Sequence, residues 1–261
     1  TSPLSNKIFK FVLSLVNDDT SIYLCPILWN EKNIIYLNQR YFYDISIYLF
    51  TKYPQTSIIF KKHNCHSYLV NYSQQHISED ISNCLKLLQV FTDSYSFLIQ
   101  DRTKWNSISF FNSLITFWQK QRSFLNQLIK ALKPNNIIFF NSVSLLCCIS
   151  YLSFDLSSYI FEKVFLNQRD LYQQFTRQER NSVLLLVEIT SHMVKENSSK
   201  KLRALTILVN LFNNYVENDI FDDFLLDSLM QQIEVFKDHI PAKMIPTTYT
   251  QNLKKWENSR L

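Results

Sequence analysis

The sequence contains no glycine among its 261 residues. Glycine is the usual residue where the backbone has positive φ, turns in a tight hairpin or approaches a ligand closely. The chain therefore lacks the glycine-rich loops of nucleotide-binding proteins and the nucleophile elbow of α/β-hydrolases. Two-residue β-hairpins are also disfavoured, which counts against an all-β fold. Helices need glycine least, although their left-handed C-caps must then use asparagine or be absent.

The composition is that of a folded chain. Hydrophobic residues make up 46% of the sequence and aromatic residues 15%, unlike the polar composition of disordered chains. The five cysteines are an odd number and do not form a disulfide framework, so we expect a reducing compartment. The N-terminal segment is amphipathic and does not have the pattern of a signal peptide. We therefore expect an intracellular protein, either cytoplasmic or nuclear.

Helical periodicity is the dominant pattern along the chain. Apolar residues recur at helical spacing over 104–132, and again over 199–216 and 218–238. The last two segments form a predicted hairpin of roughly 40 residues, which is the length of a HEAT or armadillo unit. The sequence therefore predicts an all-α fold, a multi-helix antiparallel array. A HEAT/armadillo-like solenoid is preferred over an irregular helical bundle.

Three regions are predicted from the distribution of these patterns. Residues 1–76 form an N-terminal helical region, and residues 77–240 form the helical-repeat core, which begins with Ser78 as an N-cap. Residues 241–261 contain two prolines and many polar residues, and they are predicted to be an extended C-terminal tail.

The N-terminal region is the hardest to interpret. The sequence NDDT at 17–20 is predicted to end a first helix, and Pro26 and Pro54 are predicted to break the following segment into pieces. Residues 44–50 partly alternate and are rich in β-branched and aromatic side chains, but their apolar residues also fit helical spacing. We interpret the region as helical, with a short β element as the alternative.

The longest uncharged stretch, PNNIIFFNSVSLLCCISYLSF at 134–154, is about long enough to cross a bilayer. Asparagines and serines interrupt it, and several of the serines share one face of the predicted helix. The helical phase then continues through Val164 into charged sequence. We therefore predict the most buried helix of the array and no membrane span. Cys147 and Cys148 are interpreted as part of the core, since cysteine often behaves as a small buried hydrophobe.

A histidine and cysteine cluster is the first candidate site. His63, Cys65 and His66 lie within four residues, and imidazole and thiolate are ligands that zinc prefers. Their spacing is not that of a zinc finger, and no second ligand pair follows. We therefore predict neither a metal site nor a cofactor, and interpret the three residues as loop or core.

An acidic stripe is the second candidate site. Its residues are Asp219, Asp222, Asp223 and Asp227. The segment DDFLLD resembles the aspartate-rich helix of the all-α isoprenoid synthases, and the resemblance implies an enzyme that holds magnesium and diphosphate. That family carries a second, matched acidic motif, for which this sequence has no counterpart. The alternative is an acidic first turn on a solvated helix face.

Basic and aromatic residues supply the remaining candidates. Lys200, Lys201, Arg203, Lys254 and Lys255 are the predicted contacts for nucleic acid, on the expectation that helix ends and loops align them along one edge. In the tail, the residues predicted to contact a protein partner are Tyr249 and Trp256.

The sequence thus favours a non-enzymatic scaffold for protein–protein interactions, a subunit of a larger intracellular complex. Other protein subunits are the expected partners. The first alternative is a chromosome- or RNA-associated factor that binds nucleic acid through the basic edge. The second alternative is a magnesium-dependent all-α enzyme.

Overall fold

The structure is a computed structural model. It describes residues 11, 14–15, 17–29, 40–77, 79, 81–100, 107–132, 138–166, 201–220, 222–237, 240 and 245–260. Every regular element in these ranges is a helix and none is a strand, which confirms the predicted all-α class. The chain divides into two compact units, Thr1–Ala131 and Leu132–Leu261, so that the boundary falls inside the predicted core region 77–240.

The first unit contains seven of the helices that the structure describes. They are α1 (Asp18–Leu28), α2 (Arg40–Lys52), α3 (Thr56–Lys62), α4 (Cys65–Gln75), α5 (Ser82–Gln100), α6 (Ser107–Lys120) and α7 (Arg122–Lys130). Helices α2 to α5 each pack on the next helix along the chain. In addition, α1 packs on α3, α2 packs on α5, and α4 packs on α7. The segment 44–50 lies within α2, so the alternative of a β element is wrong.

An aromatic cluster joins α1, α2, α3 and α5. Trp29, Phe50, Phe60 and Phe91 come from α1, α2, α3 and α5, and all four are fully buried. The Phe60 ring lies edge-on to Trp29 and to Phe50, with centroids 5.0 Å apart in each case. The Trp29 indole N–H donates to the Ser46 hydroxyl at 3.0 Å. Each edge-on aromatic pair stabilises the fold by about 0.5–1.5 kcal/mol beyond the burial of its area.

Local signals at α1 differ from the prediction. Asn17 caps the helix rather than ending one: its side chain accepts from the Thr20 backbone N–H at 2.8 Å, and the Thr20 hydroxyl accepts from the Asn17 backbone N–H at 2.8 Å. Pro26 lies inside α1 and does not break it. Pro26 lies in the last turn of α1. Proline has no backbone N–H to donate, so the helix lacks one hydrogen bond near its end and is not interrupted.

The predicted helix 104–132 is two helices. The backbone leaves helical geometry at Gln121, which separates α6 from α7, and residues 104–106 lie outside the described part. The buried stripe of α6 contains Phe110, Leu114 and Trp118, whereas Ile108 is 73% exposed. The break at Gln121 lets each of the two shorter helices present its own buried face.

The second unit contains the remaining described helices. They are α8 (Phe139–Ser150), α9 (Phe154–Phe161, which continues into a π-helical turn at Glu162–Leu166), α10 (Lys201–Glu217), α11 (Asp223–Lys237) and α12 (Thr247–Ser259). Helix α8 packs on α9, and α10 packs on both α11 and α12.

Helix α8 lies within the uncharged stretch, and most of its residues are buried. Ser150 is buried with its hydroxyl bonded inside the helix, where it donates to the Cys147 carbonyl at 2.7 Å. The predicted continuation into one helix is interrupted, since Ser153 caps α9 with its hydroxyl 3.3 Å from the Leu156 backbone nitrogen. In the described ranges, no helix combines the length and the apolar character that crossing a membrane requires.

The predicted extended tail is corrected by the structure, because residues 247–259 form helix α12. Pro246 precedes the helix with φ −59° and ψ 135°, a conformation that lies outside the helix and directs the chain into it. Tyr249 and Trp256 are seven residues apart and therefore lie on one face of α12. That face packs on α10, which supplies the stabilisation that a short helix needs.

Two residues with positive φ replace the missing glycines in the described turns. Asn64 (φ 56°) joins α3 to α4, and Asp219 (φ 54°) follows α10. The Ile220 N–H donates to the Tyr215 carbonyl at 2.8 Å, which completes a Schellman-type C-cap. The Asn218–Asp219 pair was expected to cap the next helix but ends α10. Asp222 caps α11 instead, accepting from the Leu225 N–H at 3.1 Å.

We expect Asn64→Ala to lower the free energy of unfolding by about 1 kcal/mol, because a Cβ without a polar group to compensate disfavours positive φ. Asn64→Gly should retain or increase stability. Asn71→Ala is the control, since Asn71 is exposed within α4, where alanine favours the helix. Urea unfolding measures all three variants. Equal stability of Asn64→Ala and the unchanged chain would contradict the positive φ.

Candidate functional site

The turn between α3 and α4 directs the members of the histidine and cysteine cluster to different neighbours. His63 ends α3, and its backbone N–H donates to the Ile59 carbonyl at 3.0 Å. Cys65 is the first residue of α4, and its sulfur lies 3.6 Å from the Trp29 carbonyl oxygen. The His66 ring instead contacts Phe117, with ring centroids 4.5 Å apart. Cys65 therefore faces α1 while His66 faces α6.

Cys65 is a buried thiol. Burial raises the pKa of the Cys65 thiol to about 12, which favours the protonated form near neutral pH. Burial likewise raises the pKa of Cys25 to about 12. Within the described ranges, no three histidine, cysteine, aspartate or glutamate side chains are grouped so that they could hold a metal ion.

His66 is a buried imidazole in an apolar environment. Its ring lies between Phe91 and Phe117, at centroid distances of 5.4 and 4.5 Å. Its Nδ1 atom is buried without a hydrogen-bond partner in the described structure. Burial, and secondarily the positive charge of Lys61, lowers the pKa of His66 to about 4. The residue is therefore a neutral part of the core of the first unit.

The acidic stripe and the end of the chain contact each other in the second unit. The Lys255 ammonium lies 2.9 Å from the Asp219 carboxylate. The Arg260 guanidinium lies 3.2 Å from Asp227 and 3.9 Å from Asp223. Three of the four aspartates singled out as candidate magnesium ligands therefore contact cations of the same chain, and the fourth, Asp222, caps α11. The stripe attaches α12 to the α10–α11 hairpin.

Both predicted partner-binding aromatics are buried against their own unit. Tyr249 and Trp256 are each 1% exposed. Their rings pack on Phe212 of α10, with centroid distances of 5.2 and 6.0 Å. The Arg260 guanidinium covers the Trp256 ring at 4.7 Å from its centroid. The expected contact with a partner is thus replaced by an intramolecular one.

The predicted basic residues do not share one edge. Lys201 and Arg203 lie in the first turn of α10, whereas Lys255 donates to the carbonyl of Val216 near the other end of that helix, at 3.1 Å. A rise of 1.5 Å per residue separates the two ends by about 20 Å. Lys254 is exposed on α12. Lys200 lies outside the described residues.

An exposed apolar pair on α1 was not singled out from the sequence. Cys25 and Trp29 are fully buried on one side of this helix, whereas Tyr23 is 76% exposed and Ile27 is 64% exposed. The two exposed residues are four apart and therefore lie one above the other on the same face. A helical wheel drawn from Asn17 as the N-cap would have shown this second apolar face. The signal that was missed is the N-cap Asn17, because NDDT at 17–20 was expected to end a helix and not to begin one.

Comparison with known proteins does not identify a relative: no protein-family model, no curated protein and no solved structure matches this chain.

We expect acid to destabilise the protein partly through His66. Between about pH 6.5 and 4, the unfolded chain binds a proton at this imidazole while the folded chain does not. Stability therefore falls as the pH decreases through this window and is unaffected by His66 above it. The maximum effect is about 3 kcal/mol, at 1.36 kcal/mol for each pKa unit.

Urea unfolding at pH 7.5, 6, 5 and 4.5 measures this effect for the unchanged chain and for His66→Leu. The stability difference between the two should shift in favour of the variant as the pH falls. His63→Gln is the matched control and should keep the pH dependence of the unchanged chain. A difference that is constant with pH would show that His66 has the same pKa in the folded and the unfolded protein.

Burial rather than charge should hold α12 in place. We expect Trp256→Ala to lower the free energy of unfolding by about 3–5 kcal/mol, the usual cost of removing a buried tryptophan. Arg260→Gln should lower it by less than about 1 kcal/mol, since its ion pairs are solvent-exposed. Thermal or urea unfolding followed by circular dichroism compares them. A larger loss for Arg260→Gln would assign the main role to the ion pairs.

Proposed function

We propose that this protein is a non-enzymatic scaffold for protein–protein interactions and a subunit of a larger intracellular complex. The observation that carries the proposal is the exposed apolar face of α1. Tyr23 and Ile27 project from a helix whose opposite face is anchored in the aromatic core by Trp29. A rigid helix that presents large apolar side chains is a common basis for recognition by another protein.

The energetics favour an anchor of this kind. Burying the side chain of a large apolar residue stabilises a contact by about 1.5–3 kcal/mol. Tyrosine is enriched among the residues that dominate binding energy at interfaces. Because α1 packs on α3, and Trp29 joins it to Phe50 and Phe60, the exposed pair is presented on a preorganised surface. Little conformational entropy then remains to be lost on binding.

A HEAT/armadillo-like arrangement is part of the proposal. It is supported by the sequential packing of α2 through α6, since each unit of a repeat array contacts its neighbours. The contact of α2 with α5 passes over two intervening helices, as in an irregular bundle. Both architectures present helix faces to a partner, so the proposed function does not depend on the choice between them.

The nucleic-acid alternative has less support from the geometry. Lys255 is occupied by Asp219 and the Val216 carbonyl, and the cations at the start of α10 lie at the other end of that helix. A track for a phosphate backbone needs several cations that face the same groove.

A double variant tests the proposed surface. We expect Tyr23→Ser with Ile27→Ser to reduce the amount of partner recovered by at least about tenfold, given the apolar burial that is lost. The tagged chain is used for affinity capture from an extract of its native cells, and mass spectrometry identifies the proteins recovered. Ile108→Ser is the matched control, because Ile108 is 73% exposed on a different helix and should leave recovery unchanged.

Two results would contradict the proposal. Reproducible recovery of the bare monomer would remove the scaffold function. Equal recovery by the double variant and the unchanged chain would exclude α1 as the interface. Light scattering of the purified chain separates self-association from binding of a different subunit.

A further inference from the structure

A basic cleft lies between α3 and α6 in the first unit. It has a volume of about 390 Å³ and is lined by Ile58, Lys61, Lys62, Ser109, Phe110 and Ser113. The size is within the usual range for small-ligand sites. Two lysines and two serines thus line the same cleft as an isoleucine and a phenylalanine.

The charge of the cleft is positive and is not neutralised by its own walls. No acidic residue is among its lining residues. In the described structure, neither Lys61 nor Lys62 forms an ion pair. The positive charge of Lys61 also acts on the buried imidazole of His66. Both lysines lie in the last turn of α3, where the helix dipole favours a cation. The dipole explains why lysines occur at this helix end, but it does not explain why both of them line one cleft.

We infer that this cleft binds a phosphate monoester, with its phosphate group between Lys61 and Lys62 and its organic group against the half-buried side chain of Ile58. Two ammonium groups match the charge of a monoester, which is about −1.5 to −2 at neutral pH. The Ser113 hydroxyl donates to the Phe110 carbonyl at 2.5 Å. It can rotate to donate to a phosphate oxygen instead.

A monoester fits better than a nucleic-acid backbone. A phosphodiester carries one negative charge at each phosphate, and its binding requires cations spaced along a track. Here two cations are adjacent in sequence and line one cleft. The half-buried side chain of Ile58 provides an apolar contact for an organic substituent, which inorganic phosphate lacks.

Titrations of the full-length chain at constant ionic strength test the assignment. The probes are phenyl phosphate, inorganic phosphate and dimethyl phosphate, followed by the amide NMR signals of α3 and α6. We expect phenyl phosphate to bind more tightly than inorganic phosphate because of its ring, and dimethyl phosphate to bind at least about tenfold more weakly because it is a monoanion. Lys61→Gln with Lys62→Gln should weaken phenyl phosphate binding by at least about tenfold.

Lys130→Gln is the matched control, because Lys130 is an exposed lysine in the last turn of α7. It should leave the affinity unchanged. An equal loss in the control would show diffuse attraction by surface charge and overturn the site. Equal binding of dimethyl phosphate would overturn the preference for a monoester. Tighter binding of a single-stranded oligonucleotide at the same signals would replace the monoester by nucleic acid.

Discussion

A chain without glycine must reverse its direction with residues that carry a Cβ, and this constraint explains much of the local structure. In the described part, Asn64 and Asp219 take the left-handed conformation that glycine usually occupies. Both side chains are short and polar, which reduces the steric and energetic cost of positive φ. Asp219 has a second role, since its carboxylate binds Lys255. The turn after α10 and the attachment of α12 therefore depend on the same residue.

The interior is built from large aromatics and small serines rather than from alanine. The sequence contains only three alanines, and several serines of the described helices are buried. A buried hydroxyl usually forms a hydrogen bond. Ser94 donates to Phe91 and Ser150 donates to Cys147, in each case to a carbonyl of their own helix. Ser46 instead accepts from the Trp29 indole, so its hydroxyl joins α2 to the aromatic cluster.

Periodicity was sufficient to predict the helical class, because buried positions repeat every three or four residues in most of the helices described. The ends of the helices were harder to predict. No proline marks the break at Gln121, and an asparagine such as Asn17 occurs at either end of a helix. The contacts of the candidate site residues could not be predicted for a different reason. Trp256 carries the apolar surface that suits a partner, but the same surface can be buried intramolecularly. Asp227 and Arg260 are 33 residues apart, and only the tertiary structure brings them together.

Three buried thiols are shielded from reagents while their unit is folded, whereas Cys148 of the second unit is half-buried. Cys25 and Cys65 have no solvent exposure in the first unit, and Cys147 is almost fully buried in the second. A thiol-modifying reagent needs both access and a thiolate, so it reacts with these positions only after a helix has separated from its neighbours. The rate of covalent labelling at each cysteine consequently reports the local opening equilibrium around it. The protein thus carries its own set of internal probes for how independently its two units unfold.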